Sequence, residues 1–227
     1  MPILRSSARL AFAAALVTYP TLAFCQAAPL DYVPNRPYTA QVVETDAQTG
    51  ANAAHVRHET KKIQARDSQG RTWIESFQSN NMDRPMMVNL YIPLRRQFIQ
   101  LFPGQKTARV MTFPGAGPIP LHRNLNVVKI KTETLPGQTI HGVYAVGTRT
   151  TQAMRRDDGQ GPDVVDVQET WVSPDLKIVV FSKDTSTDPD SDQITTEIRR
   201  LDRSEPNPSL FEIPADYKIV EVTNGPR

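Results

Sequence analysis

The chain has 227 residues, with 26 lysines and arginines against 24 aspartates and glutamates. Arg5 and Arg9 are the only charges before position 28, so the remainder balances 24 basic residues against 24 acidic ones. A neutral surface with no long cationic run offers no footprint for a nucleic acid, and that class of partner is excluded as an expectation.

The amino terminus has the three physical parts of a cleaved export signal. Arg5 and Arg9 form a basic flank, Leu10 to Val17 is uninterruptedly apolar, and Pro20 ends the run before a stretch of small residues. Residues 1–27 are read as the signal, with cleavage after Ala27, or alternatively after Ala23 or Cys25. The apolar run is too short to cross about 30 Å of hydrocarbon as a helix, and no later run reaches that length, so no transmembrane segment is expected. Cys25 is the sole cysteine, so no intramolecular disulfide can form. Leu22-Ala23-Phe24-Cys25 resembles a bacterial lipobox, with Phe24 departing where a small residue belongs; lipidation at Cys25 is the secondary expectation. The destination is periplasmic or extracellular.

Residues 28–37 are proline-rich and read as an extended leader, and 38–227 as a single β domain. Tyr38 to Thr45 is the first strand. His55 to Ala65 and Arg71 to Phe77 flank Asp67-Ser68-Gln69-Gly70, a hairpin turn whose glycine tolerates positive φ. Met86, Val88, Leu90 and Ile92 alternate onto one face of the next strand. Phe98 to Phe102 and Thr107 to Phe113 flank the turn Pro103-Gly104-Gln105-Lys106. Phe113 to Pro120 carries too much proline and glycine for a strand or helix and is read as a loop or crossing.

The second half repeats the rhythm. Asn126 to Thr134 and Thr139 to Thr150 flank an expected turn at Leu135-Pro136-Gly137-Gln138. Val164 to Val172 and Leu176 to Lys183 flank Ser173-Pro174-Asp175. Ile178 to Phe181 is apolar on both faces and reads as a central strand. Gln193 to Arg203 reads as exposed on one face, a turn falls near Pro208-Ser209-Leu210, and Tyr217 to Val222 closes the chain. About ten strands in consecutive hairpins imply an all-β fold with little helix. The expected form is a strongly curved antiparallel meander, a half-barrel or open barrel.

No pattern carries an enzyme's chemistry, so no enzymatic activity is expected. His55 and His58, three apart on a strand, point to opposite faces and cannot share an ion, while His122 and His141 stand apart; no metal site is expected. Asp188, Asp190 and Asp192 have the spacing of a calcium loop, but Gln193 stands where its glycine belongs and Arg199 where its glutamate belongs, which leaves a solvated hairpin loop. There is no Gly-x-Ser-x-Gly elbow. Gly115-Ala116-Gly117 precedes a proline and no helix, so no nucleotide cofactor is implied. A hydrolase of unfamiliar type would need carboxylates and a histidine to converge, with Glu133, His141 and Glu169 the candidates.

The most distinctive stretch is Glu205-Pro206-Asn207-Pro208-Ser209-Leu210-Phe211-Glu212-Ile213-Pro214-Ala215-Asp216-Tyr217. With Glu169 to Leu176 and Arg66 to Arg71, it resembles an uncharacterised family of exported, acidobacterial-type bacterial proteins. The Pro-Ser-Leu-Phe … Pro ending is also similar to the close of the outer-membrane lipoprotein carrier (LolA-like) superfamily. That resemblance implies a half-barrel with an apolar concave face and a lipid or lipoprotein as partner. No amphipathic helix is available here as the carriers' lid. The chain alone explains the ending in another way: Leu210 and Phe211 can plug the open edge of a curved sheet, and the prolines stop another strand from pairing there. The expected function is non-enzymatic binding of a lipid or other apolar group, lined by Met86, Val88, Leu90, Ile92, Phe98 and Phe102. A structural or protein-interaction module of the cell envelope is the alternative.

Overall fold

The computed structural model describes residues 32–47, 57–78, 81–113, 127–155, 163–188 and 191–222. The expected export signal with Cys25, His55, His122, Asp190 and the interruption from Pro114 to Pro120 lie outside these residues.

Twelve strands form one sheet: β1 Tyr38–Ala47, β2 Arg57–Arg66, β3 Thr72–Gln78, β4 Asn81–Ile92, β5 Gln97–Phe102, β6 Thr107–Thr112, β7 Val127–Ile140, β8 Val143–Met154, β9 Val164–Ser173, β10 Ile178–Ser186, β11 Gln193–Asp202 and β12 Lys218–Val222. Their spatial order is β12-β6-β5-β4-β3-β2-β1-β11-β10-β9-β8-β7. The all-β, open sheet agrees with the expectation, and its connectivity refines it. Two antiparallel meanders, β1–β6 and β7–β11, are welded through β1 and β11. The last strand returns to pair parallel with β6.

The sheet curls. His141, at the tip of the β7–β8 hairpin, meets Glu197 of β11 at 3.2 Å with β9 and β10 in between. Three flat strand spacings would hold those backbones about 14 Å apart, so the hairpin tip must fold over its neighbours. Arg66 of β2 likewise reaches the carbonyl of Leu176, in the turn between β9 and β10.

Alternation sends successive side chains to opposite faces, and each face has its own core. Ala65, Trp73, Leu90, Ile99 and Val110 stand opposite one another across β2–β6. Val88, Leu101 and Ala108 form the adjoining row. All are buried in one cluster. On the other face Tyr38, Ala40, Val42, Ile178 and Ile198 pack with Leu176. β11 lies near the centre of the sheet and, as expected, buries one face, at Thr196 and Ile198, while Arg199 on the other is exposed.

The turns decide what surrounds the site. Pro93 and Pro103 each open a 3₁₀ turn, Pro93–Arg95 and Pro103–Gln105. Each is closed by a left-handed residue, Arg96 at φ 50° and Lys106 at φ 46°. Proline presets the φ that the turn's first position needs. The expected turn at Leu135–Gln138 is corrected: it is a bulge inside β7, with Leu135 paired to Gly147 and Gln138 to Ala145. β7 is an edge strand, so the missing N–H of Pro136 costs no ladder bond. The phenol of Tyr144 covers Gly137, whose Cβ would lie 2.4 Å from its oxygen. The chain reverses instead at His141-Gly142, with φ of 46° and 79°. Two positive φ values give the turn whose twist matches that of the strands.

Candidate functional site

β11 ends with Asp202 beside Thr39, and β12 begins with Lys218 beside Thr107. Between them the chain must pass from the middle of the sheet to its edge beyond β6. It crosses the face of β2–β6, where Phe211 is buried in the core and Leu210, Ile213 and Tyr217 pack against it. This crossing is a strap, and polar contacts hold it at each end. The Glu205 carboxylate accepts from the backbone N–H of Ser68 at 3.0 Å and from the Ser68 hydroxyl. Asn207 caps the 3₁₀ turn Pro208–Phe211, its Oδ1 accepting from the Ser209 N–H at 3.0 Å and the Ser209 hydroxyl at 2.9 Å. At the far end the Lys218 N–H donates to the Lys106 carbonyl at 2.8 Å, and the Lys106 ammonium meets Asp216 at 2.8 Å. That contact raises the pKa of Lys106 and lowers that of Asp216.

The strap runs diagonally, from the β2–β3 turn to the β5–β6 turn, and β12 then runs back along the edge. The two form a V. Between its arms, over the ends of β4, β5 and β6, lies a cavity of about 590 Å³. Ile92, Ile99 and Val110 are its floor, Phe211, Glu212 and Ile213 one wall, and Ile219 and Glu221 the other. Gln69, Arg71, Pro93, Leu94, Arg95 and Gln97 complete the lining. Leu94 is 72% exposed and Ile219 55%, so apolar surface continues from the floor to the mouth. Arg71 is a fixed wall. Its Nε donates to the buried carboxylate of Asp67 at 2.5 Å, and its guanidinium lies 4.9 Å from the Phe211 ring centre. Asp67 also accepts from the N–H groups of Gln69 at 3.0 Å and Arg71 at 2.8 Å, which sets the turn. A concave, largely apolar volume of this size with a few polar groups at its rim is what small apolar ligands need.

A second cavity, of about 380 Å³, lies under the β7–β8 hairpin and is lined by His141, Tyr144, Ser173, Asp175, Leu176 and Arg203 among others. Asp175 pairs there with both Arg36 and Arg203. Arg203 holds its carboxyl below the usual range.

The structure divides the six residues expected to line a ligand site. Val88, Leu90 and Ile92 lie on the strapped face, and only Ile92 reaches the cavity. Phe98 and Phe102 lie on the opposite face, paired with Tyr91 and Thr107. The guanidinium of Arg109 sits 5.0 Å from the Phe102 ring. Met86 is exposed. Ile92 pairs with Gln97, and this register makes Leu101 and Ile99, not the phenylalanines, the face-mates of Val88 and Leu90. Ile99, Val110, Ile213 and Ile219 were not singled out by the sequence. Alternation in β5 is apolar on both faces, so it gives no face to choose.

Glu133, His141 and Glu169 do not converge. Glu133 faces Arg149, which faces Glu169 in turn and binds it at 2.5 Å. Lys131 and Arg149 hold the Glu133 carboxyl below its usual range, the opposite of what a general acid needs. His141 lies at the far end of β7, against Glu197. Among the described residues no group of three acidic, histidine or cysteine side chains could hold a metal ion. None of the described helices is long and apolar enough to cross a membrane.

No family model and no curated protein matches the chain. Solved structures similar to it include a conserved protein from Thermus thermophilus, at 9% identity and a TM-score of 0.46 over 82% of this chain and 91% of that one. MucB of Pseudomonas aeruginosa, solved in complex with MucA, is similar at 10% identity and 0.45 over 83% of this chain. The chain spans 59% of MucB. A LolA superfamily protein from Nitrosomonas europaea is similar at 7% identity and 0.35, over 79% of this chain and 91% of that one.

Proposed function

We propose that this is an exported, non-enzymatic binding protein that holds a lipid, acyl chain or other apolar group in the cavity between its strap and its curved sheet. The cavity's apolar floor, continuous with the exposed Leu94 and Ile219 at its mouth, carries the reading. An apolar chain entering there would remove floor and mouth from water together, at roughly 25 cal/mol per Å² of apolar surface. Export is supported by the signal-like sequence from Arg5 to Ala27, which points to the periplasm or the exterior.

Titration with a fluorescent fatty-acid analogue tests it. Ile219→Asp places a charge on the cavity wall at a half-exposed position that the fold tolerates. It is expected to weaken the probe about tenfold or more, which corresponds to about 1.4 kcal/mol. Val220→Asp, next along the same strand but facing the other way, is the control and is expected to bind like the native protein. No binding by the native protein, or equal losses in both variants, would contradict the reading and favour the interaction module.

A further inference from the structure

We propose that the outer edge of β7 is a self-complementary docking edge for a second copy of this chain. Among the described residues β7 ends the sheet, and no strand pairs with its outer side. The pattern of charge running up to it is specific. Lys183, Glu169, Arg149 and Glu133 occupy successive paired positions on β10, β9, β8 and β7. Signs therefore alternate across four strands, and the ladder stops at the edge on a carboxylate. Opposite charges directly across from each other stabilise a sheet and like charges destabilise it, so the next strand should present a cation opposite Glu133.

β7 carries that cation itself. Lys131 lies two residues before Glu133 on the same face and, in the single chain, turns back to bind it at 2.9 Å. When a second β7 pairs antiparallel about a two-fold axis through Thr132, Lys131 of each copy faces Glu133 of the other. Each ladder then gains one further step of opposite sign, from Glu133 to Lys131 of the second copy, and Ile130 faces Thr134 of the second copy. A two-fold axis requires one patch to complement itself, and the order Lys-Thr-Glu does so in this register. The bulge beginning at Leu135 ends the clean pairing and fixes that register, because a slip of two residues would lose both charge pairs.

Sedimentation velocity of the mature protein over the micromolar to submillimolar range, at low salt so that the charges are not screened, tests this. The native protein is expected to pass from the mass of one chain to that of two. Lys131→Glu faces acid with acid and Glu133→Lys faces base with base, so each alone is expected to remain a monomer. An equimolar mixture of these two variants pairs acid with base at both positions and is expected to recover the two-chain mass, as is the double variant K131E/E133K. Circular dichroism matching the native spectrum shows each variant to be folded. A native protein that stays at one-chain mass, single variants that dimerise as the native chain does, or a mixture that stays monomeric would each overturn the proposal.

Discussion

Phe211→Ala is expected to destabilise the protein by about 3–5 kcal/mol, read as a lower urea midpoint. Phe211 is 4% exposed and packs within the cluster of Ala65, Trp73, Leu90, Ile99 and Val110. Truncating it leaves a void that a sheet fixed by its ladders cannot collapse to fill. The Arg71 guanidinium loses the ring it lies over as well, a further loss of about 0.5–1 kcal/mol. The polar anchors cannot compensate, because the Lys106–Asp216 contact is exposed and water screens it. Phe211→Leu keeps most of the volume and is expected to lose less than half as much. A loss below 1 kcal/mol for the alanine variant would mean that the strap is not seated on the sheet.

Arg66 gives the other large effect. It is 1% exposed, yet among the described residues no carboxylate pairs with it. Its Nε donates to the Arg36 carbonyl at 3.0 Å and its Nη2 to the Leu176 carbonyl. The guanidinium lies 5.0 Å from the Tyr38 ring, and Nη1 has no hydrogen-bond partner. Burial lowers the pKa of Arg66 and pushes the Tyr38 phenol up to about 12. The residue clamps β2 to the β9–β10 turn, and so ties the two meanders together across β1 and β11. Arg66→Ala opens a cavity and strands both carbonyls, with an expected cost of about 3–4 kcal/mol. Arg66→Lys should be nearly as harmful, because an ammonium keeps the buried charge but loses the fork that reaches both acceptors. Arg66→Met fills the same volume with no charge to desolvate and is expected to recover about half of the loss. Chemical denaturation of the three variants checks this order, and lysine performing better than methionine would contradict it.

The strands and most turns of the fold were legible because period-two patterning and proline–glycine chemistry are local signals. Met86 to Ile92, Asp67 to Gly70 and Pro103 to Lys106 each announce their conformation within a few residues. The failures lie where tertiary context outweighs a local signal. Pro136-Gly137 reads as a turn anywhere, but at an edge strand under Tyr144 it is a bulge, and the weaker His141-Gly142 pair makes the reversal. The pairing of β1 with β11 joins residues about 160 apart in the chain, and no neighbouring residue signals it.

The site was less legible than the fold. Leu210 and Phe211 read as a plug for the open edge of the sheet, and the structure seats them on the face of β2–β6 instead. Which face of β5 Phe211 covers depends on the register that Pro93–Arg95 imposes between β4 and β5. Phe98 and Phe102, candidates for lining the same concave face as Leu90 and Ile92, fall on the other face by register. Ile219 and Ile213 gain meaning only once the strap and β12 are seen to form a V, a relation between segments that no pattern within either one contains.

Native mass spectrometry of the mature protein, purified from a bacterial periplasm and measured before and after organic extraction, tests the central claim most directly. The account predicts a bound mass of lipid size that extraction removes and that Ile219→Asp diminishes. A protein that carries no such mass, and that takes up none when acyl lipids are supplied, would contradict it.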